Sequence, residues 1–232
     1  MKFLINPNKF DFVAGILLKP LMLISIFLLF VGLTFAFYLS PDDYQQGSTV
    51  RIMYIHVPSA WLSLMTYLIM TLYSIVALAF RIPFGFIVNT AVAPIGATFT
   101  LICIITGSLW GKPMWGTWWV WDARLTSVAV LFIVYLIIIF INLSFENRMV
   151  REKIVSIFIL VGSINLPIVK YSVDWWNTLH QPASISKLSK PNIDISMITP
   201  LAIMTLAFIF IGISIAILRI KTEIHNRKQS LL

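Results

Sequence analysis

Six runs of apolar residues, near positions 21–39, 57–80, 85–109, 125–145, 154–170 and 198–218, take up most of this chain. Crossing the hydrocarbon core of a bilayer takes about 20 apolar residues in a helix, and each run approaches or exceeds that length. The chain therefore reads as an all-α integral membrane protein with six transmembrane helices. Its composition agrees: 59% of residues are hydrophobic and 11% charged, with a mean hydropathy of +0.92, whereas soluble domains carry about 25% charged residues. The first run is longer than the roughly 7–15 residues of a signal-peptide core and no A-x-A-like site follows it, so it is read as a helix. The fifth run is interrupted by Asn165 and Pro167 and closed by Lys170. Such residues are tolerated in a span where neighbouring helices or cavities satisfy the backbone, so this helix is expected to face protein.

The 17 Lys and Arg residues outnumber the 9 Asp and Glu. They are scattered at the ends of apolar runs and form no basic stripe, which argues against nucleic acid as a partner. They read instead as topology signals. With the N-terminus inside, eleven fall on the cytoplasmic side; the other six, Arg51, Lys112, Arg124, Lys170, Lys187 and Lys190, fall outside. That split puts both termini in the cytoplasm. The whole of 1–232 is then one six-span domain, and without a long hydrophilic segment its chemistry belongs to short loops and helix ends.

One loop stands out. Trp110-Gly-Lys-Pro-Met-Trp-Gly-Thr-Trp-Trp-Val-Trp-Asp-Ala-Arg124 brings five tryptophans and an Asp/Arg pair between the third and fourth runs. Trp has a large apolar face and one N–H donor, so a cluster of them suits a flat apolar ligand, of which haem is the obvious example. Haem iron is commonly held by His, and there are three histidines: His56, His180 and His225. His56 opens the second run, and His180 lies in a loop over about 171–197. Each is two crossings from the tryptophan loop, so all three meet on one face. His225 falls on the other face, where it and the basic tail read as an anchor against anionic membrane lipid. A single Cys, Cys103, inside the third run removes C-x-x-C exchange, covalent C-x-x-C-H haem attachment and Cys-rich zinc sites. Only noncovalent haem through His remains.

Simpler readings stand beside these. The tryptophans resemble an interfacial belt, although a belt needs only one or two aromatics per helix end; Trp61 and Trp110 fit that description best. On a helical reading, Trp115, Trp118, Trp119 and Asp122 share one face. His56 can be a hydrogen-bonded histidine at a helix start set by Pro58, and His180 a solvated loop residue. Asp122 either caps the fourth helix or orients the tryptophan segment. Arg51 and Arg124 can grip the two haem propionates, serve topology, or pair with Asp42, Asp43 or Asp122.

Trp115-Gly-Thr-Trp-Trp-Val-Trp-Asp-Ala-Arg-Leu-Thr-Ser127 resembles the WWD motif of a haem-handling family. Two further segments, Arg51-Ile-Met-Tyr-Ile-His-Val-Pro-Ser-Ala-Trp61 and Trp175-Trp-Asn-Thr-Leu-His-Gln181, together with the six-span length, are similar to its haem exporter protein C branch (CcmC), part of bacterial cytochrome c maturation. The resemblance implies an inner-membrane protein with a Trp-rich periplasmic loop. It implies that His56 and His180 are axial ligands of noncovalent haem b, with Trp115, Trp118, Trp119, Trp121 and Asp122 contacting the porphyrin. It also implies handover to a membrane-anchored haem chaperone alongside ABC transporter subunits. Such a protein is a transfer protein and not an enzyme, a haem lyase-like role in loading the chaperone being the alternative. The rivals are a b-type electron-transfer cytochrome, a haem permease subunit and a purely structural partner.

Overall fold

The computed structural model describes residues 6–180 and 193–229. Among them, seven α-helices follow in order: α1 (Pro7–Thr34), α2 (Met53–Ala79), α3 (Phe84–Trp115), α4 (Ala123–Ser144), α5 (Arg148–Gly162), α6 (Asn165–Trp175) and α7 (Ile195–Gln229). With α5 and α6 sharing one crossing, there are six segments long and apolar enough to span a membrane. The chain is an all-α multi-pass membrane protein, as its hydropathy indicated. α1 packs chiefly on α7 and α2 on α3, while α4 lies against α3, α5 and α6.

Helix ends differ from those the apolar runs suggested, for reasons that lie outside each run. α1 starts at Pro7, not near 21, because the Asn6 side chain accepts from the N–H groups of Asn8 and Lys9 and caps it. Asp11 breaks the apolar pattern there, yet Lys221 of α7 pairs with it at 3.3 Å. α7 runs past 218 to Gln229, its last turns tied by an Arg227–Glu223 pair one helical turn apart at 2.7 Å. α2 begins at Met53 after a 3₁₀ turn over Ser48–Ile52, so Pro58 lies inside the helix and does not open it.

The fifth crossing breaks where the sequence is least apolar. α5 closes at Gly162, and α6 resumes at Asn165 with Pro167 in its first turn, a position that tolerates the missing N–H. The Asn165 amide donates to the Ser127 carbonyl of α4 at 2.9 Å. The polar residue is thus satisfied by a neighbouring helix, as the protein-facing expectation required.

Within lipid, close packing and hydrogen bonds hold helices together, because burial of apolar surface gives little advantage there. Two tyrosines do both jobs. Tyr67 and Tyr135, fully buried, meet edge to face at 5.3 Å. The Tyr67 hydroxyl donates to the Ile159 carbonyl of α5 at 3.1 Å, and that of Tyr135 to the Ser63 carbonyl of α2 at 2.7 Å. Gly96 and Gly162 give these rings room; a Cβ at either would overlap a tyrosine. At Pro94, which cannot bond back along α3, the Arg219 Nε of α7 donates to the nearby Ala91 carbonyl at 2.6 Å.

This packing gives the bundle two distinct ends. One carries the 40–47 and 116–122 loops and the chain following α6; we call it the tryptophan end. The other, the basic end, carries both described termini and the turns at 80–83 and 145–147.

Candidate functional site

The tryptophan segment leaves the helix almost at once. α3 stops at Trp115 because Gly116 takes a left-handed backbone (φ +75°), its N–H returning to the Lys112 carbonyl at 3.0 Å. Residues 116–122 form a non-helical loop, and α4 begins only at Ala123. The helical face of Trp115, Trp118, Trp119 and Asp122 is therefore corrected: the spacing is present, but the left-handed glycine ends the helix that would use it. The loop is also shorter than the 110–124 read from sequence, since Trp110 to Trp115 are the last turns of α3.

Local contacts fix the loop nonetheless. Trp115 lies over Gly111, where a Cβ would come within 2.8 Å of the indole. The Lys112 ammonium donates to the Gly116 carbonyl at 3.0 Å and sits 5.8 Å from the Trp118 ring centre. Trp119 and Trp121 meet edge to face at 5.7 Å. Trp121 is 80% exposed and Trp118 54%. The indole N–H of Trp119 is shielded from solvent and has no hydrogen-bond partner among the described residues.

His56 sits one turn into α2, against α3. Its Nδ1 is 3.1 Å from the Thr106 hydroxyl, and Trp110 meets the ring edge-on at 5.7 Å. The Trp110 indole in turn donates to the Gln46 side-chain carbonyl at 2.8 Å. Trp110, one of the two tryptophans that fit a belt best from sequence, thus packs against His56 and bonds to Gln46.

His180 follows α6, outside any helix. Its backbone N–H donates to the Thr178 hydroxyl at 3.0 Å, and that hydroxyl donates to one carboxylate oxygen of Asp122. The other Asp122 oxygen accepts from the Leu125 N–H at 2.8 Å and caps α4. The capping contact expected of Asp122 is present, and the same carboxylate also ties the His180 loop to the start of α4. His225 sits on the last turns of α7 at the basic end, its Nε2 3.1 Å from the Gln229 amide.

The two arginines make protein contacts here. Arg51 pairs with Asp42 at 3.0 Å, although its buried Nε has no hydrogen-bond partner among the described residues. Arg124 donates to the Val169 carbonyl of α6 and approaches the Ser172 hydroxyl at 3.5 Å. Of the loop expected over 171–197, Tyr171 to Trp175 are the end of α6, and residues 181–192, with Lys187 and Lys190, lie outside the described residues. Tyr171 stacks on Trp175 at 5.4 Å and Trp175 meets Trp176 at 5.7 Å; both tryptophans are half exposed.

Sequence reasoning missed Thr106, Gln46 and Thr178. Each is an ordinary polar residue whose role comes from a partner far along the chain. A threonine in an apolar run, one helix away from a candidate ligand, was the only available hint.

With this geometry in view, the chain was compared with known proteins. Over residues 1–232 it matches the family model described as heme exporter protein C. It is 44% identical to heme exporter protein C of Bradyrhizobium diazoefficiens, covering 97% of this chain and 85% of that protein. Identity to the Escherichia coli K12 protein of the same name is 40%, over 94% of this chain and 88% of the relative. A putative cytochrome c biosynthesis ccmC-like mitochondrial protein of Marchantia polymorpha is 46% identical, over 80% and 78% respectively. Full-length agreement with the family model and with relatives of nearly the same extent leads to one conclusion: the chain belongs to the haem exporter protein C family.

Proposed function

We propose that this protein binds haem b noncovalently at its tryptophan end, between His56 and His180, and delivers it to a membrane-anchored haem chaperone in cytochrome c biogenesis. Two relatives are named for haem export and the Marchantia one for cytochrome c biosynthesis. The observation that carries the reading is the run of contacts from His180 through Thr178 to Asp122, which joins the second histidine to the tryptophan loop.

The donor set suits the cargo. Haem brings an iron with two axial positions, a flat apolar ring and two carboxylates. Two histidines at one end, exposed indoles at Trp118 and Trp121, and the buried N–H groups of Trp119 and Arg51 Nε that lack a partner among the described residues suit those features. Trp115 and Asp122 hold the loop in shape, and Arg124 ties α4 to α6.

The two ligands differ in rigidity. His56 is carried by a helix packed on α3, whereas His180 is on a loop held through Thr178. One fixed and one releasable ligand suit a cargo that must leave. We assign the tryptophan end to the periplasm and both termini to the cytoplasm of the inner membrane, on the eleven-to-six Lys/Arg split. There the protein works with the ABC transporter subunits of the maturation complex and acts as a transfer protein.

The test is haem loading of the chaperone in cells carrying Trp119→Phe or Asp122→Asn. Variants that retain haem yet fail to load the chaperone, with a fall in mature c-type cytochromes, are expected. Full loading by every haem-retaining variant, with normal cytochrome c when the protein is deleted, would favour an electron-transfer cytochrome instead.

A further inference from the structure

We propose that Thr106 is the positioning residue that holds the His56 imidazole in its Nδ1–H form and so reserves Nε2 for the haem iron. This rests on His56 being an axial ligand. A hydroxyl has a single proton to donate, and Thr106 spends it within its own helix. Its Oγ1 donates to the Ile102 carbonyl at 2.6 Å, with the Cys103 carbonyl at 3.3 Å as a second acceptor. Only lone pairs remain on Oγ1. The 3.1 Å contact with His56 Nδ1 is therefore made with the imidazole as donor. A neutral imidazole carries one proton, so Nε2 is left with the lone pair that a metal needs.

The ring plane is fixed by the same stretch of α3. A Cβ at Gly107 would come 3.0 Å from His56 Cε1, so the glycine lets the imidazole settle against the helix. Trp110, one turn further along α3, meets the ring at an interplanar angle of 80° and is steadied by Gln46. Thr106 lies nine residues before the end of α3, about 13 Å along the axis at the usual helical rise. The seat belongs to the packed interior of the bundle and not to a loop, which is what precise positioning of a ligand requires.

The tautomer can be read without haem. Haem-free protein carrying ring-¹⁵N-labelled histidine, in nanodiscs, gives signals from only three imidazoles, a Nδ1/Nε2 pair from each, and His56→Ala identifies one pair. Wild type and Thr106→Ser are expected to show His56 as Nδ1–H; Thr106→Val, similar in shape but without the hydroxyl, is expected to move it toward Nε2–H. Haem affinity in Thr106→Val should fall about ten- to a hundredfold, the usual cost of losing a partner behind a metal-bound histidine, and Thr106→Ser should restore it. An Nε2–H signal in wild type, or an unchanged tautomer in a folded Thr106→Val, overturns the proposal. If the tautomer behaves as expected but His56→Ala leaves the haem spectrum unchanged, the axial-ligand reading fails and the assignment to iron fails with it.

Discussion

At the basic end of the bundle, Arg227 of α7 reaches the largely buried Glu152 of α5 at 2.7 Å while also holding Glu223, and Lys221 pairs with Asp11 of α1. At the tryptophan end, helices and loops are joined mainly by hydrogen bonds and ring contacts: Thr178 to Asp122, Gln46 to Trp110, Thr106 to His56. The described ion pair there, Arg51 with Asp42, is partly exposed. The basic end therefore spends its charges on connecting helices. The tryptophan end connects helices with small polar groups and leaves Trp118 and Trp121 largely open. One end is closed by charge pairs, and the other leaves aromatic surface exposed.

Which end faces which side of the membrane gives the largest expected effect. In a Cys103→Ser background, cysteine in place of Lys112 should react fully with a membrane-impermeant thiol reagent in intact cells, and cysteine in place of Lys228 should not react. The reverse pattern would turn the protein over and put the tryptophan loop in the cytoplasm.

A smaller but still large effect concerns the basic end. Arg227→Ala strands the Glu152 carboxylate in a shielded position. Losing one partner of a buried pair costs about 3–5 kcal/mol, so the variant should melt well below wild type in detergent. Its haem spectrum, in whatever fraction folds, should be normal. A melting temperature equal to wild type would show that the charge network does not hold α5 to α7.

Asp122→Ala should do the opposite at the tryptophan end. Loss of an N-cap costs about 0.5–2 kcal/mol, so the bundle should stay folded. The His180 loop, however, loses its tie through Thr178, and haem occupancy should fall by more than stability does. Equal losses in both, measured on the same preparation, would reduce Asp122 to a helix cap.

How far the sequence could be read follows from whether a property belongs to a residue or to a pair. Six crossings were legible because hydropathy accumulates residue by residue, and the shared face of His56, the tryptophan loop and His180 followed from counting crossings. The start of α1 was not legible, since Asp11 looks like an interruption until Lys221, far along the chain, neutralises it. The spacing of Trp115, Trp118, Trp119 and Asp122 misled for a local reason: Gly116 adopts a left-handed backbone and ends the helix. Thr106 carried only the faint signal of a threonine in an apolar run, because its part depends on a histidine fifty positions earlier.

The central claim is that haem sits between His56 and His180, and the absorption and electron paramagnetic resonance spectra of the purified, haem-loaded protein test it most directly. The account predicts a low-spin, bis-histidine spectrum that is lost in His56→Ala and in His180→Ala, partly returns when imidazole is added, and is untouched in His225→Ala. A wild-type spectrum in both of the first two variants would contradict it.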